Sequence, residues 1–255
     1  MKTSQQEMVV CFLDILGFEK RSLNEPEEAE EAARNFRQKL KENILLASND
    51  GLKKSGKRRY LQVPQFSVIS DSVFISLMML PKDESKSDLE WLVRDLSDTL
   101  LECLEVGIPL RGSISIGKAY YGRADREGIM SGDHLVGVPV TQAAVFEHKQ
   151  EWVGVSFVPE LYGNEPVILN YLIDKGVVAE WGVPTESGLQ NTWVVKWPEK
   201  ELEAAIDLFK GYYDDYLKPE EAKPIREVAA KYYSTLVFLK HQKKKLNLEV
   251  VESDK

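Results

Sequence analysis

The chain has 255 residues, of which 41 are Asp or Glu and 33 are Lys or Arg, giving a formal net charge of -8. That length allows one large domain or one domain with an elaborated tail, and the acidic balance excludes a general nucleic-acid binder, which needs a basic surface to hold phosphates. No run approaches the ~18 apolar residues of a membrane span, and Val9–Leu16 is too short, and too interrupted by Asp14, for a secretory leader, so the reading is a cytoplasmic protein.

In chain order, residues 8–16 read as a strand that is apolar on both faces apart from Asp14. After a turn at Gly17, Asn24-Glu25-Pro26-Glu27-Glu28 supplies a cap residue, an early proline and first-turn acids. Ala29, Ala33, Phe36, Leu40, Ile44 and Ala47 then recur at helical spacing up to a stop near Asn49-Asp50-Gly51. The basic stretch from Lys53 to Arg59 reads either as a solvated loop or as a site attracting a polyanionic nucleotide. Residues 60–80 alternate as two strands with Ser70-Asp71 at the bend between them. Ser87 and Glu90 have capping-box spacing and open a second amphipathic helix, carrying Leu89, Leu92, Val93, Leu96, Leu100, Cys103 and Leu104, which Gly107-Ile108-Pro109 stops. Leu110–Gly117 alternates as a strand, a looser stretch runs from Tyr120 to Val136, a short helix covers Pro139–Glu147, and Trp152–Val158 is another strand.

The order β-α-β-β-α-β-α-β predicts an α+β fold of ferredoxin-like topology over residues 1–160, with both long helices on one face. Residues 161–255 form a C-terminal extension expected to pack on that core rather than to do chemistry. It holds a strand at Thr192–Trp197 and a helical tail from Glu199 to Lys245, broken near Lys218-Pro219 and Lys223-Pro224. Cys11 and Cys103 have no paired spacing and read as buried free thiols. No Ser-His-Asp or Cys-His arrangement supports acyl transfer.

The sharpest chemical signal is the pair Asp14 and Asp71, each set in an apolar strand-like run. A charge beside a strand core is costly to desolvate without compensation. A lone Asp commonly just ends a strand or begins a turn. Two of them, one followed by a glycine turn, point to a shared Mg²⁺ or Mn²⁺, which favours carboxylate and carbonyl oxygens and would in turn hold phosphates.

Five segments in this order resemble the class III nucleotidyl cyclase domain: FLDILGF (12–18), ISDSV (69–73), LRGSISIG (110–117), GVPVTQAAVFE (137–147) and GVSFV (154–158). The resemblance implies two divalent metals, Mn²⁺ or Mg²⁺, held by Asp14, Asp71 and the backbone carbonyl of Ile15. It also implies a triphosphate cradled by the amides of Leu16, Gly17 and Phe18. The implied reaction is attack of the ribose 3′-hydroxyl on the α-phosphorus with loss of pyrophosphate, in a pocket built between two copies, so a homodimer is expected. The purine-reading lysine of the family falls on Ser67, and the second base-reading position falls on His134. The transition-state asparagine falls on Thr141, and the arginine four residues later falls on Val145. Arg111, Lys118 and Arg123 are the nearest substitute cations, although an arginine opening a strand also serves to support a neighbouring carboxylate. Tyr60 reads either as a base-contacting aromatic or as strand-end packing.

Without the purine-reading lysine the chain looks like the pyrimidine cyclases of the Pycsar anti-phage systems. That subgroup implies UTP, less so CTP, as substrate, and a cyclic monophosphate that acts on a separate effector. The alternatives are a catalytically silent nucleotide-binding module and a purine cyclase.

Overall fold

The computed structural model describes residues 5–46, 64–79, 84–122, 134–162, 167–216 and 224–253. Its strands are β1 (Gln5–Ile15), β2 (Gln65–Ile69), β3 (Ser72–Met78), β4 (Leu110–Gly122), β5 (His134–Gly137), β6 (Gly154–Phe157), β7 (Val178–Thr185) and β8 (Gly188–Val195). The helices are α1 (Phe18–Asn24), α2 (Pro26–Leu40, continued by a wider turn over Lys41–Leu46), α3 (Glu84–Glu105), α4 (Val138–Lys149), α5 (Val167–Asp174), α6 (Leu202–Tyr216) and α7 (Pro224–Ser253).

All eight strands join one sheet in the order β2-β3-β1-β4-β6-β8-β7, with β5 pairing β4 off that path. β4 and β6 are parallel and the remaining pairs are antiparallel. β4 is the longest strand, and it pairs along one edge with β1 from Leu110 to Tyr120. Its other edge is shared: Arg111–Ile114 pair with β6, and Ala119–Gly122 pair with β5.

Alternation along β1 sets the layers. Val9, Cys11, Leu13 and Ile15 enter the main core with Phe36 and Leu40 of α2 and with Leu89, Leu92, Leu96 and Cys103 of α3. The two long helices therefore share one face, as the sequence predicts. Met8 and Val10 face the other way and meet Ala119 and Ala143, so α4 lies on the opposite face. The polar residues of β4 make that close approach possible: Ser113 Oγ donates to the Ala143 carbonyl, and Ser115 Oγ donates to Gln142 Oε1 at 2.8 Å. Such bonds offset the cost of taking polar side chains out of water.

Glycine stops α3 as expected. Gly107 has φ 75, its N–H bonds the Leu104 carbonyl at 3.0 Å, and Ile108 N–H bonds the Cys103 carbonyl at 2.8 Å. These are the paired bonds of a Schellman end.

Several local expectations are corrected. The Gly17 turn leads into α1, and Asn24 does not cap α2: its Nδ2 donates back to the Lys20 carbonyl at 2.9 Å, while Glu25 holds the cap position without a side-chain bond. α3 begins at Glu84, before the Ser87 capping box. The stretch after Tyr120 begins in strand, since β4 runs on to Gly122 and receives β5. Only Gly154–Phe157 of the expected Trp152–Val158 strand is paired as β6. β7 includes Gly182 and Pro184, residues that weaken any strand signal. The helix stop near Asn49–Gly51 lies outside the described residues.

The C-terminal third extends this sheet and core. β8 reaches β6 through Ser156 and Val194, and Trp197, Phe209, Phe238 and Leu239 belong to the main core cluster. α7 is fixed by polar contacts as well. Gln242 brackets the backbone of Trp197, accepting from its N–H at 3.2 Å and donating to its carbonyl at 2.8 Å. No described helix is long and apolar enough to cross a membrane. Both cysteines are free and buried; burial raises both thiol pKa values, that of Cys103 to about 12.

Candidate active site

The β1–β3 pairing ends at Leu13 opposite Val73, so Asp14 comes level with the start of β3. There Ser72 Oγ donates to Asp14 Oδ1 at 2.7 Å. Asp71 occupies the two-residue turn between β2 and β3, after Ser70, which takes a left-handed φ of 58. That conformation is uncommon for a residue with a Cβ, and such strain tends to persist at functional positions. The structure thus brings together two aspartates that lie 57 positions apart.

Their electrostatics are unbalanced. The Asp14 carboxyl is pushed up to about 7, chiefly by desolvation and further by the nearby charges of Glu147 and Asp71, against the stabilising bond from Ser72. Neither Asp14 nor Asp71 forms an ion pair with a described residue. Among the described residues these crowded carboxylates have no counter-charge, the electrostatic setting in which a bound cation would be stabilising. The described residues contain no group of three or more His, Cys, Asp or Glu side chains that could hold a metal. Two carboxylates are nonetheless the ordinary protein share for Mg²⁺, whose remaining ligands are water and substrate phosphates rather than a full protein cage. The residues present fit such an ion. Ile15, the proposed carbonyl ligand, ends β1 with its side chain buried in the main core.

Leu16, Gly17 and Phe18 follow directly. Leu16 N–H bonds the Pro109 carbonyl at 2.9 Å, which ties the turn to the start of β4. Gly17 has φ 78 and nothing within 4 Å of where a Cβ would sit, so backbone conformation and not crowding requires glycine here. Phe18 opens α1 and packs against the main core.

Arg111 lies directly across from Asp14 in the β1–β4 register, yet it is not a free cation. It is 7% exposed; Nε donates to Glu147 Oε1 at 2.6 Å, and Nη1 donates to the Gln150 carbonyl at 2.7 Å. Gln150 is itself fully buried and bonds the Gly112 carbonyl, Trp152 Nε1 and Ser156 Oγ. Of the two sequence readings of Arg111, this geometry matches support of a neighbouring carboxylate, here Glu147. Gln150 carried no sequence signal, and Glu147 figured only as the end of the GVPVTQAAVFE segment; the fold is what shows both beside β4.

Thr141 and Val145 lie on α4 and line a separate cavity of about 310 Å³ that also contains Lys149. The structure does not bring Thr141 to the aspartate pair within one chain. Ser67 is half-buried in β2, opposite Phe74. The His134 imidazole lies against Gly122 across the β4–β5 pair. Lys118 is exposed, across from Glu7. Tyr60, Arg123 and the Lys53–Arg59 stretch lie outside the described residues. Tyr120, Val136, Val138 and Val145 leave an apolar surface on β4, β5 and α4, with exposures of 40%, 60%, 64% and 48%.

No protein-family profile matches the sequence. No curated protein matches it either. Among solved structures, the chain is similar to the adenylyl cyclase CyaB from P. aeruginosa, with a TM-score of 0.52 and 16% identity over 78% of this chain and 97% of that one. It is also similar to a bacterial light-regulated adenylyl cyclase, with a TM-score of 0.54 and 14% identity over 77% of this chain. The match covers 53% of the light-regulated protein, about half its length. The fold is that of class III cyclase domains.

Proposed function

We propose that the chain is a metal-dependent nucleotidyl cyclase that converts a pyrimidine triphosphate, UTP in preference to CTP, to its 3′,5′-cyclic monophosphate and pyrophosphate. The observation that carries this reading is the convergence of Asp14 and Asp71 in one place, with no counter-charge among the described residues, beside the Gly17 turn. When bound there, a divalent cation acidifies the attacking hydroxyl and neutralises charge on the phosphates. The chain's own part is to position: Asp14, Asp71 and the Ile15 carbonyl fix the charge, and the turn amides at Gly17 and Phe18 face the phosphates, while the Leu16 N–H, spent on the Pro109 carbonyl, holds the turn in place. Arg111 acts through Glu147 and Gln150 as a positioning residue.

The pocket needs a second copy, because Thr141 lies away from the aspartates and the apolar surface formed by Val136, Val138 and Val145 is uncovered. In the resulting homodimer, Thr141 of one protomer faces the substrate held by its partner. Ser67, standing where a purine-reading lysine would lie, supports the pyrimidine choice. On this reading the product serves anti-phage signalling through a separate effector, and the protein works in the cytoplasm. The names of the two adenylyl cyclase neighbours favour a second reading, a purine cyclase of the same fold.

Incubation of the purified protein with Mn²⁺ and each of ATP, GTP, CTP and UTP, followed by mass spectrometry, tests both. Cyclic UMP or cyclic CMP is the expected product. Cyclic AMP or cyclic GMP moves the assignment to a purine cyclase. Nucleotide binding without pyrophosphate release sinks the enzymatic reading.

A further inference from the structure

A cavity of about 550 Å³ opens between α1, the α3–β4 turn and the C-terminal helices α6 and α7. Its volume is that of a small-molecule site. Three cations line it, Lys20 and Arg21 from α1 and Lys231 from α7, against the single carboxylate of Glu25. In a chain of net charge -8, this convergence of segments some 210 positions apart runs against the overall balance.

The cations retain unused donors. Lys20 makes no ion pair among the described residues. Arg21 spends Nη2 on the Gly107 carbonyl at 3.3 Å, and a guanidinium carries four further N–H groups. Lys231 pairs with Glu151 at 3.1 Å, but its side chain is only 17% exposed and an ammonium has two more protons to donate. A partly desolvated cation in a concave site attracts anions more strongly than a surface lysine does. Beside Lys231 the lining is aromatic and apolar: Tyr212 stacks on the 2% exposed Tyr232 at 5.5 Å with an interplanar angle of 22°, next to Val228.

From this cluster we infer that the cavity is a second anion site, taking a phosphate- or pyrophosphate-bearing small molecule whose apolar part rests on the tyrosine wall. Leu16 and Gly17 line the same cavity, so an occupant touches the turn that follows Asp14. The site therefore gives the C-terminal helix a direct contact with the catalytic turn. It does not depend on which nucleotide is cyclised.

The test is calorimetric titration of the full chain in EDTA, which disables any metal-held phosphate, with inorganic pyrophosphate and with UDP. Binding of at least one probe is expected, weakened about tenfold by Lys20→Gln and again by Lys231→Gln. Lys231→Arg, which keeps the charge and the Glu151 pair, is expected to restore most of that loss and controls for damage to α7. Equal affinities for the two probes identify the phosphates alone as what is held, and tighter UDP binding adds the tyrosine wall. No binding of either probe, or binding unchanged by Lys20→Gln, overturns the inference. Cyclase turnover with Mn²⁺ is a separate readout, and its absence leaves a positive titration standing.

Discussion

Asp14 and Arg111 stand opposite each other across β1 and β4, at the same end of the sheet, yet they sit in opposite kinds of environment. Around Arg111 the charge is matched: Glu147 accepts from Nε, the Gln150 carbonyl accepts from Nη1, and Gln150 is itself held by Gly112, Trp152 and Ser156. Around Asp14 no described residue supplies a counter-charge: burial above all, then Glu147 and Asp71, raises its pKa, and one bond from Ser72 opposes the shift. A buried charge held by a carboxylate and a carbonyl fixes the position of the elements that carry them. A crowded pair of carboxylates lacking a partner costs stability, and such a cost persists where a ligand offsets it. The difference supports the proposal that the aspartates carry the chemistry and the arginine the architecture.

Breaking each side gives opposite signatures. Asp71→Asn keeps the size of the side chain and removes one of the crowded charges. Turnover should fall by on the order of 10³-fold or more. The metal-free protein should unfold at the same denaturant concentration or become more stable, by up to about 1 kcal/mol since both groups keep some contact with water. Activity assays beside urea unfolding check both halves, and full activity in Asp71→Asn would remove the aspartate from the site. Arg111→Met inverts the pattern. It leaves Glu147 buried without its partner, a change that costs about 3–5 kcal/mol in urea unfolding. Replacing both residues by Met should recover most of that loss, because the unpaired charge disappears with its partner. If Arg111→Met instead left stability unchanged and abolished turnover, Arg111 would belong with substrate.

The same contrast explains what the sequence revealed and what it hid. Asp14 and Asp71 were legible because a charge inside an apolar strand run violates the pattern around it. The strands β1 and β3 and the helices α2 and α3 were legible because each buries one periodic face, as Val9, Cys11 and Leu13 do against Phe36 and Leu92. Arg111 was ambiguous, since its meaning depends on Glu147 and Gln150, which lie 36 and 39 positions away and meet it only through the parallel β4–β6 pairing and the docking of α4. β7 was hidden by Gly182 and Pro184, and α1 by its short length and lack of any buried face. The cavity holding Lys20 and Lys231 had no sequence trace at all, because it joins the two ends of the chain.

The smallest of these contrasts concerns whether the C-terminal helix is architecture, chemistry or both. Thr235 is fully buried on α7, and its Oγ1 accepts from Val153 N–H at 2.8 Å and lies 3.0 Å from the Val153 carbonyl. That contact anchors α7 beside the start of β6, one turn along the helix from Lys231. Thr235→Val preserves shape and leaves a buried N–H without a partner, a loss of about 1–3 kcal/mol. Thr235→Ser keeps the hydroxyl and should cost less. If α7 only braces the sheet, turnover per folded molecule in Thr235→Val stays at the wild-type level while the urea midpoint drops. A loss of turnover beyond the loss of folded protein would mean that the position of α7 is felt at the Gly17 turn, through the cavity that Lys231 and Gly17 share.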